Sequence, residues 1–219
     1  MYQPSHHRET RLEVMHALIR AHPLGLLISA DEEGILANPL PFLLDEAYRP
    51  YGRLRVHLSR ANLQWRRIAE HPEEPVLVVF QGVDAYITPS WYATKRETGK
   101  VVPTWNYVIV QARGKARVIQ DRDWLAAQIN ELTQTHEVGR QQPWQVSDAP
   151  EAFIEAQIKG IVGIEIDIAT IEGKWKVSQN RPEADRAGVV EGLAATPEKP
   201  GASEMADLVR RYGTKAASS

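Results

Sequence analysis

Apolar positions along the chain follow a helical spacing first, then a two-residue alternation, then a mixture of both. Over residues 8–21, Leu12, Met15, Leu18 and Ile19 fall on one helical face, with Ser5 ahead as a candidate cap and Pro23 behind as a stop. The apolar run LGLLISA, 24–30, predicts a buried strand, DEEG a turn, and ILANPLPFLL, 35–44, a returning strand. Pro39 and Pro41 cannot donate to a ladder, which confines that strand to an edge or a bulge. Residues 52–59 alternate, Leu54, Val56 and Leu58 against Arg53, Arg55 and His57, and a short helix is expected over about 61–70. Two strands, 75–82 and 84–89, lead into a charged loop broken by Gly99. Residues 104–121 then read as a long strand or as a hairpin bent near Gly114.

Beyond residue 120 the helical period returns. Residues 121–137 predict a helix capped by Asp121 or Asp123, and 147–160 a second, with Ser147 or Asp148 as cap and Pro150 in its first turn. Residues 161–178 read as a hairpin turning near IEGK, and 182–212 as two short helices; the closing TKAASS is expected to fray. Seven or so strands with few helices between them argue against a doubly wound parallel sheet. They predict an α+β, mainly β fold: an antiparallel barrel with helices on its outside. The expected organisation is one domain over 1–181, including a helical insert at about 121–160, with 182–219 as a helical tail packed on it.

Composition narrows the chemistry. With 219 residues, 43% apolar and 25% charged, the chain can bury a core, and a net charge of −2 gives no general pull toward nucleic acid. The absence of cysteine excludes disulfides, zinc–thiolate sites and thiol catalysis, and fits a reducing cytoplasm. The N-terminal stretch has no apolar signal core, and no run approaches the roughly 18 apolar residues of a membrane span. The dinucleotide and P-loop glycine patterns are absent, as are GxSxG and HExxH. The seven histidines show no metal-ligand spacing; the His6–His7 pair reads as solvent-exposed, and no metal is expected.

Three segments carry candidate chemistry. In HLSRANLQW, His57–Trp65, a strand end leads into a helix that Ser59 or Asn62 can cap. Free amides there, with Arg60, suit a phosphate, while an ordinary capped helix with a basic face is the other reading. In SWYATKRETGKVVPTWNY, Ser90–Tyr107, the aromatics Trp91, Tyr92 and Trp105 lie close in sequence to Lys95, Lys100, Thr104 and Asn106, a composition suited to a planar phosphorylated ligand. One of Trp91 and Trp105 is expected in the core. In KWKVSQNR, Lys174–Arg181, consecutive hydrogen-bonding side chains suit a heteroaromatic edge or a solvated strand end.

Together with MYQPSHH, LPFLL, LRVHLSRANLQW, VVFQGVDAYITPSWYATK, VPTWNYVIVQARGKARV, IVGIEIDIATIEGKWKVSQNR and GVVEGL, in that order over roughly 1–195, these segments resemble the PaiB-type family of FMN-binding negative transcriptional regulators. The departures are His7 where the family usually has an aromatic, Val83–Asp84 where it has Pro-His, and Val177 where it has Leu. The resemblance implies a split β-barrel of the FMN-binding type, acting as a homodimer with FMN at the subunit interface. It implies phosphate contacts from His57, Ser59, Arg60 and Asn62 with help from Lys95, and contacts to the flavin or its phosphate from Thr104, Trp105 and Asn106. Lys176, Ser178, Gln179 and Asn180 are expected to close the site. No catalytic residue is assigned. Three functions compete: a flavin-dependent oxidoreductase with a small-molecule electron donor or substrate, a non-enzymatic flavin sensor or regulator, and a haem-binding split barrel with His6, His7 or His136 as conceivable axial ligands. Without a helix-turn-helix signature or basic tail, direct DNA binding is not expected, nor is a membrane partner.

Overall fold

The computed structural model describes residues 1–213. Contacts group the chain into two compact units. The first comprises Met1–Leu18, Gln81–Val110 and the chain from Glu172 onward; the second comprises Ile19–Phe80 and Gln111–Ile171. The strands form a sheet in the order β3-β2-β6-β7-β8-β5-β4, with β1 added on β8.

The second unit begins with a hairpin. β2 (Leu24–Asp31) and β3 (Gly34–Pro41) pair antiparallel from Leu24↔Pro41 to Asp31↔Gly34. Asp31 Oδ1 accepts from Glu33 N at 2.8 Å, and Gly34 takes φ +117°, a value side chains rarely tolerate. β4 (Leu43–Asp45) pairs with β5 (Arg53–Ser59), and β5 with β8 (Ile161–Lys176) from Arg53↔Asp167 to Ser59↔Ile161. The alternation of β5 buries Leu54, Val56 and Leu58, and Val78, Phe80, Ile164 and Ile166 are buried in the same unit; the Phe42 ring meets Phe80 edge-on at 5.6 Å. α2 (Gln64–Glu70), α4 (Arg122–Glu137) and α5 (Glu151–Lys159) complete this unit. Asp121 caps α4, its Oδ1 accepting from Trp124 N at 2.8 Å.

The first unit holds the short strand β1 (Arg8–Glu9), which pairs with Lys174 and Gly173 of β8, and the start of α1 (Leu12–Ala21). It also holds α3 (Ala93–Thr98), α6 (Glu183–Ala194) and α7 (Ala202–Gly213). Its core is Met15, Tyr92, Trp175, Val177, Val189, Leu193, Met205 and Val209. The fully buried Asp185 of α6 accepts from Thr94 N (2.9 Å) and Thr94 Oγ1 (3.0 Å), which ties α3 to α6. Glu9 accepts from Arg11 and from Tyr212 Oη, and these bonds hold its carboxyl down to about 2 against the opposing effect of burial.

Several expectations change. The two strands foreseen over 75–89 are one, β6 (Pro75–Ile87). The charged loop after them contains a 3-10 turn, Pro89–Trp91, and α3. β7 (Thr104–Ile119) runs straight through Gly114, because a Cβ there would lie 2.0 Å from the Asp167 carbonyl oxygen: the glycine permits close strand approach and makes no turn. The hairpin foreseen over 161–178 is the single strand β8; IEGK does not turn, and Gly173 instead pairs with Glu9. Ser5 lies in a 3-10 turn ahead of β1, so it does not cap α1, and α2 starts at Gln64, later than expected. TKAASS lies outside the described residues. Among the described residues no helix is long and apolar enough to cross a membrane.

Candidate functional site

Within the first unit, two segments about seventy residues apart meet at their polar ends. Alternation at the start of β7 turns Trp105 outward, 53% exposed, and Asn106 inward, 1% exposed. Where β8 ends, Lys176 Nζ donates to Thr104 Oγ1 (2.5 Å) and to the Trp105 carbonyl (2.6 Å). Asn106 Nδ2 donates to Ser178 Oγ at 2.9 Å, and the Ser178 hydroxyl lies 3.3 Å from Asn106 Oδ1. Ser178 has φ +65°, the one non-glycine in that region among the described residues.

Gln179 folds back on its own strand. Its Oε1 accepts from Val177 N at 2.8 Å and its Nε2 donates to the Trp175 carbonyl at 2.5 Å. The amide assignment is therefore fixed by the backbone, and His7 Nδ1, 3.0 Å from the same oxygen, carries a proton and donates. Lys174 Nζ donates to the Tyr2 carbonyl at 3.1 Å and lies 5.3 Å from the Tyr107 ring centre. The exposed Tyr86 and Trp105 rings meet edge-on at 5.8 Å. A pocket of about 180 Å³ opens between Tyr92, Thr104, Asn106, Lys176, Ser178 and Arg181, with Asn180 on its lining.

The pocket is electropositive. Burial, then Lys174 and Arg181, push the Lys176 ammonium below its ordinary value. Burial pushes the Tyr92 phenol up, so it stays protonated at neutral pH. Lys95 is in the same unit, exposed on α3, where it donates to Ser90 Oγ at 3.0 Å.

In the second unit the remaining candidates gather around the end of β5, each already engaged. His57 Nδ1 lies 2.6 Å from Gln128 Oε1. Ser59 Oγ accepts from Ala61 N (3.2 Å) and Asn62 Oδ1 from Gln64 N (2.9 Å), forming local turns and leaving α2 without a side-chain cap. Arg60 donates to the Lys159 carbonyl (3.1 Å), Gln120 Oε1 (2.8 Å) and the Ile161 carbonyl (3.2 Å), which spends three of its five N–H groups on strand and helix ends.

Three residues of the first unit's cluster were not among the expected cofactor contacts: Tyr92, Arg181 and His7. Tyr92 and Arg181 sit inside segments that were singled out, but their burial and pairing are tertiary facts. His7 overturns its expectation. It is 5% exposed, not solvated, because it packs under the turn that Gln179 makes. Neither Trp91 nor Trp105 is fully buried; the core tryptophan of this unit is Trp175.

His7 gives a pH prediction. Burial, with the charges of His6, Lys176 and Lys174 adding to it and the Gln179 hydrogen bond opposing, holds its imidazole down to about 4 from 6.5. The folded state thus binds fewer protons than the unfolded one between those values, and stability rises with pH there. The contribution is complete above pH 6.5 and lost as pH falls toward 4. From pH 7 to pH 5 the loss is about 2 kcal/mol by linkage. Melting temperatures across that range should show the fall in the wild type and a shallower fall in His7→Gln. Equal slopes would reject it.

Similarity to known proteins places the chain in a family. A family model described as "Putative FMN-binding domain" matches residues 1–170. A protein of Emericella nidulans with no assigned function is 36% identical over 246 residues, covering 97% of this chain and 98% of its own. The "Protease synthase and sporulation protein PAI 2" of Bacillus subtilis is 32% identical over 209 residues, covering 95% of this chain and 96% of its own, so this similarity takes in Lys176–Arg181 beyond the family model. Among solved structures, the FAD and haem binding protein from Mycobacterium smegmatis aligns with a TM-score of 0.56 at 16% identity, over 77% of this chain and 73% of its own. The flavocytochrome Anf3 from Azotobacter vinelandii aligns at 0.55 and 17%, over 82% and 74%. At those identities the likeness gives the fold, an antiparallel, mainly β split barrel with peripheral helices. The chain belongs to the FMN-binding domain family that includes the PaiB-type proteins.

Proposed function

We propose that the protein binds FMN through the polar cluster of its first unit and passes electrons between the flavin and a small-molecule partner. The observation that carries the reading is the joining of Thr104–Trp105–Asn106 to Lys176–Ser178 by four hydrogen bonds beside two exposed aromatic rings. The donor set fits a flavin. Lys176 keeps a third N–H and Asn106 a second amide N–H, and Asn180 is exposed; these can meet carbonyl oxygens and ring nitrogens. Trp105 and Tyr86 offer apolar faces to a planar ring. When bound, FMN supplies the redox chemistry; the side chains bind and orient it.

At about 180 Å³ the pocket is smaller than the roughly 300–1,000 Å³ of whole-ligand sites, so the flavin ring is assigned to the open face beside it, against Trp105 and Tyr86. The other side of that ring is assigned to a second copy of the chain, whose presence light scattering would read as twice the monomer mass. In the same reading His57, Ser59, Arg60, Asn62 and Lys95 serve the phosphate.

The test is the visible spectrum of the purified protein, identification of any bound flavin, and titration with FMN and riboflavin. FMN should bind at least about tenfold more tightly, equivalent to 1.4 kcal/mol from charge-assisted phosphate contacts. NADH or NADPH should bleach the bound flavin. Flavin that binds but accepts electrons from no donor would favour a non-enzymatic sensor, as the sporulation-related name of the Bacillus subtilis relative suggests. A haem spectrum would favour the chemistry named for the Mycobacterium smegmatis neighbour. A protein that takes up no FMN at micromolar concentration rejects the proposal.

A further inference from the structure

We infer that the pocket walled by Tyr92 and Arg181 is an oxyanion subsite for the carboxylate or phosphate end of a second small molecule, the redox partner of the flavin. This rests on the reading that FMN lies against Trp105 and the Asn106–Ser178 wall.

The pocket's cations lack a counter-charge. Lys174, Lys176 and Arg181 lie together, and among the described residues none of them forms an ion pair with a carboxylate. Several other partly buried cations are matched by a carboxylate, Arg11 by Glu9, Arg53 by Asp167 and Arg67 by Asp31, while Arg60 is satisfied by two carbonyls and an amide oxygen. Lys176 feels the repulsion of both neighbours, a cost that an anion in the pocket would remove. Asp185, the nearby carboxylate acting on Tyr92, is fully buried and bound by Thr94 N and Oγ1.

The Tyr92 hydroxyl has a hydrogen with no acceptor among the described residues. Tyr92 is 1% exposed and its hydroxyl has no hydrogen-bond partner of ordinary geometry among the described residues; Arg181 lies 4.7 Å above its ring. Arg181 can only donate toward this oxygen, so the hydroxyl's own hydrogen has no acceptor, and a buried donor left so on a pocket wall points to a ligand atom. Protonated at neutral pH, it can only improve an anion's binding by donating. The planar guanidinium of Arg181 can take an oxyanion through two N–H groups at once.

Size decides between ligands. The pocket holds a small oxyanion with a short stem and leaves no room for an isoalloxazine ring.

The probes are acetate and inorganic phosphate. They are titrated by calorimetry into the FMN-free protein and, in the holoprotein, by perturbation of the flavin spectrum. Saturable binding is expected, weakened at least tenfold in Arg181→Ala and at least threefold in Tyr92→Phe, with FMN affinity changed less than twofold. Tyr92→Phe keeps the buried ring, so folding is preserved, and melting temperatures check both variants. If phosphate competes with FMN but not with riboflavin, or if FMN affinity falls in step with anion affinity, the pocket belongs to the cofactor's own phosphate and the inference is overturned. Normal FMN binding with no anion binding overturns it too. Arg181-dependent anion binding in a protein that takes no flavin upholds the subsite while rejecting the flavin reading.

Discussion

Replacing Gly188 with alanine is expected to destabilise the protein by about 3 kcal/mol, lowering its melting temperature by roughly 6–12 °C. A Cβ at Gly188 would lie 1.9 Å from the carbonyl oxygen of Trp91, far inside any contact distance. That oxygen belongs to the backbone of the 3-10 turn Pro89–Trp91, which is fixed by Trp91 N donating to the Thr88 carbonyl and Tyr92 N to the Pro89 carbonyl. It cannot rotate away, so α6 must move, pulling Asp185 from Thr94. Alanine's better helix propensity returns about 1 kcal/mol, too little to reverse the sign. Gly192→Ala is the graded control. Its Cβ would meet the Trp91 indole at 2.2 Å, and a half-buried side chain can shift where a carbonyl cannot. The loss should be smaller. Thermal unfolding of both variants checks the order, and a Gly188→Ala protein melting at or above the wild type would show that α6 does not lie this close to Trp91.

The sequence was most informative where local pattern and tertiary outcome coincide. Leu54, Val56 and Leu58 alternate with Arg53, Arg55 and His57 because one face of β5 is core, and Asp121 reads as a cap because it caps α4. It misled where a distant partner decides. IEGK carries the composition of a turn, but Gly173 is recruited by Glu9, more than 160 residues away, and a two-residue strand leaves no periodic signal. Adjacent histidines look solvated until Gln179 closes over one of them. The candidate site shows the same division. TWN and KVSQN were visible as polar runs at strand ends, but composition could not say that Lys176 would bond to Thr104. Nor could it say that Arg60 would be engaged by Lys159, Gln120 and Ile161. Side-chain identity is local information; which hydrogen bonds a side chain has left to offer a ligand is not.

Asn106→Ala is expected to raise the dissociation constant for FMN about ten- to a hundredfold, or about 1.4–2.8 kcal/mol. Asn106 is 1% exposed and holds Ser178 through its amide, and Ser178 occupies φ +65°, a conformation costing a non-glycine residue about 1–2 kcal/mol. That strain persists because the hydroxyl is anchored at Asn106 and because Gln179 ties the following residue back to Val177 and Trp175. Removing the amide leaves a buried hydroxyl unpaired, a cost of about 1–3 kcal/mol, and frees the turn to relax to an ordinary φ. Lys176 and Asn180 flank that turn, so the polar wall proposed to orient the flavin loses its geometry as well as one donor. A stability loss alone would mimic this, and Ser178→Gly in the Asn106→Ala background separates the two. Glycine tolerates φ +65° and removes the orphaned hydroxyl, so the double variant should regain much of its melting temperature while FMN affinity stays low. Affinity that recovers together with stability would reduce Asn106 to scaffolding, and affinity within twofold of wild type in a well-folded Asn106→Ala would place the flavin somewhere other than this wall.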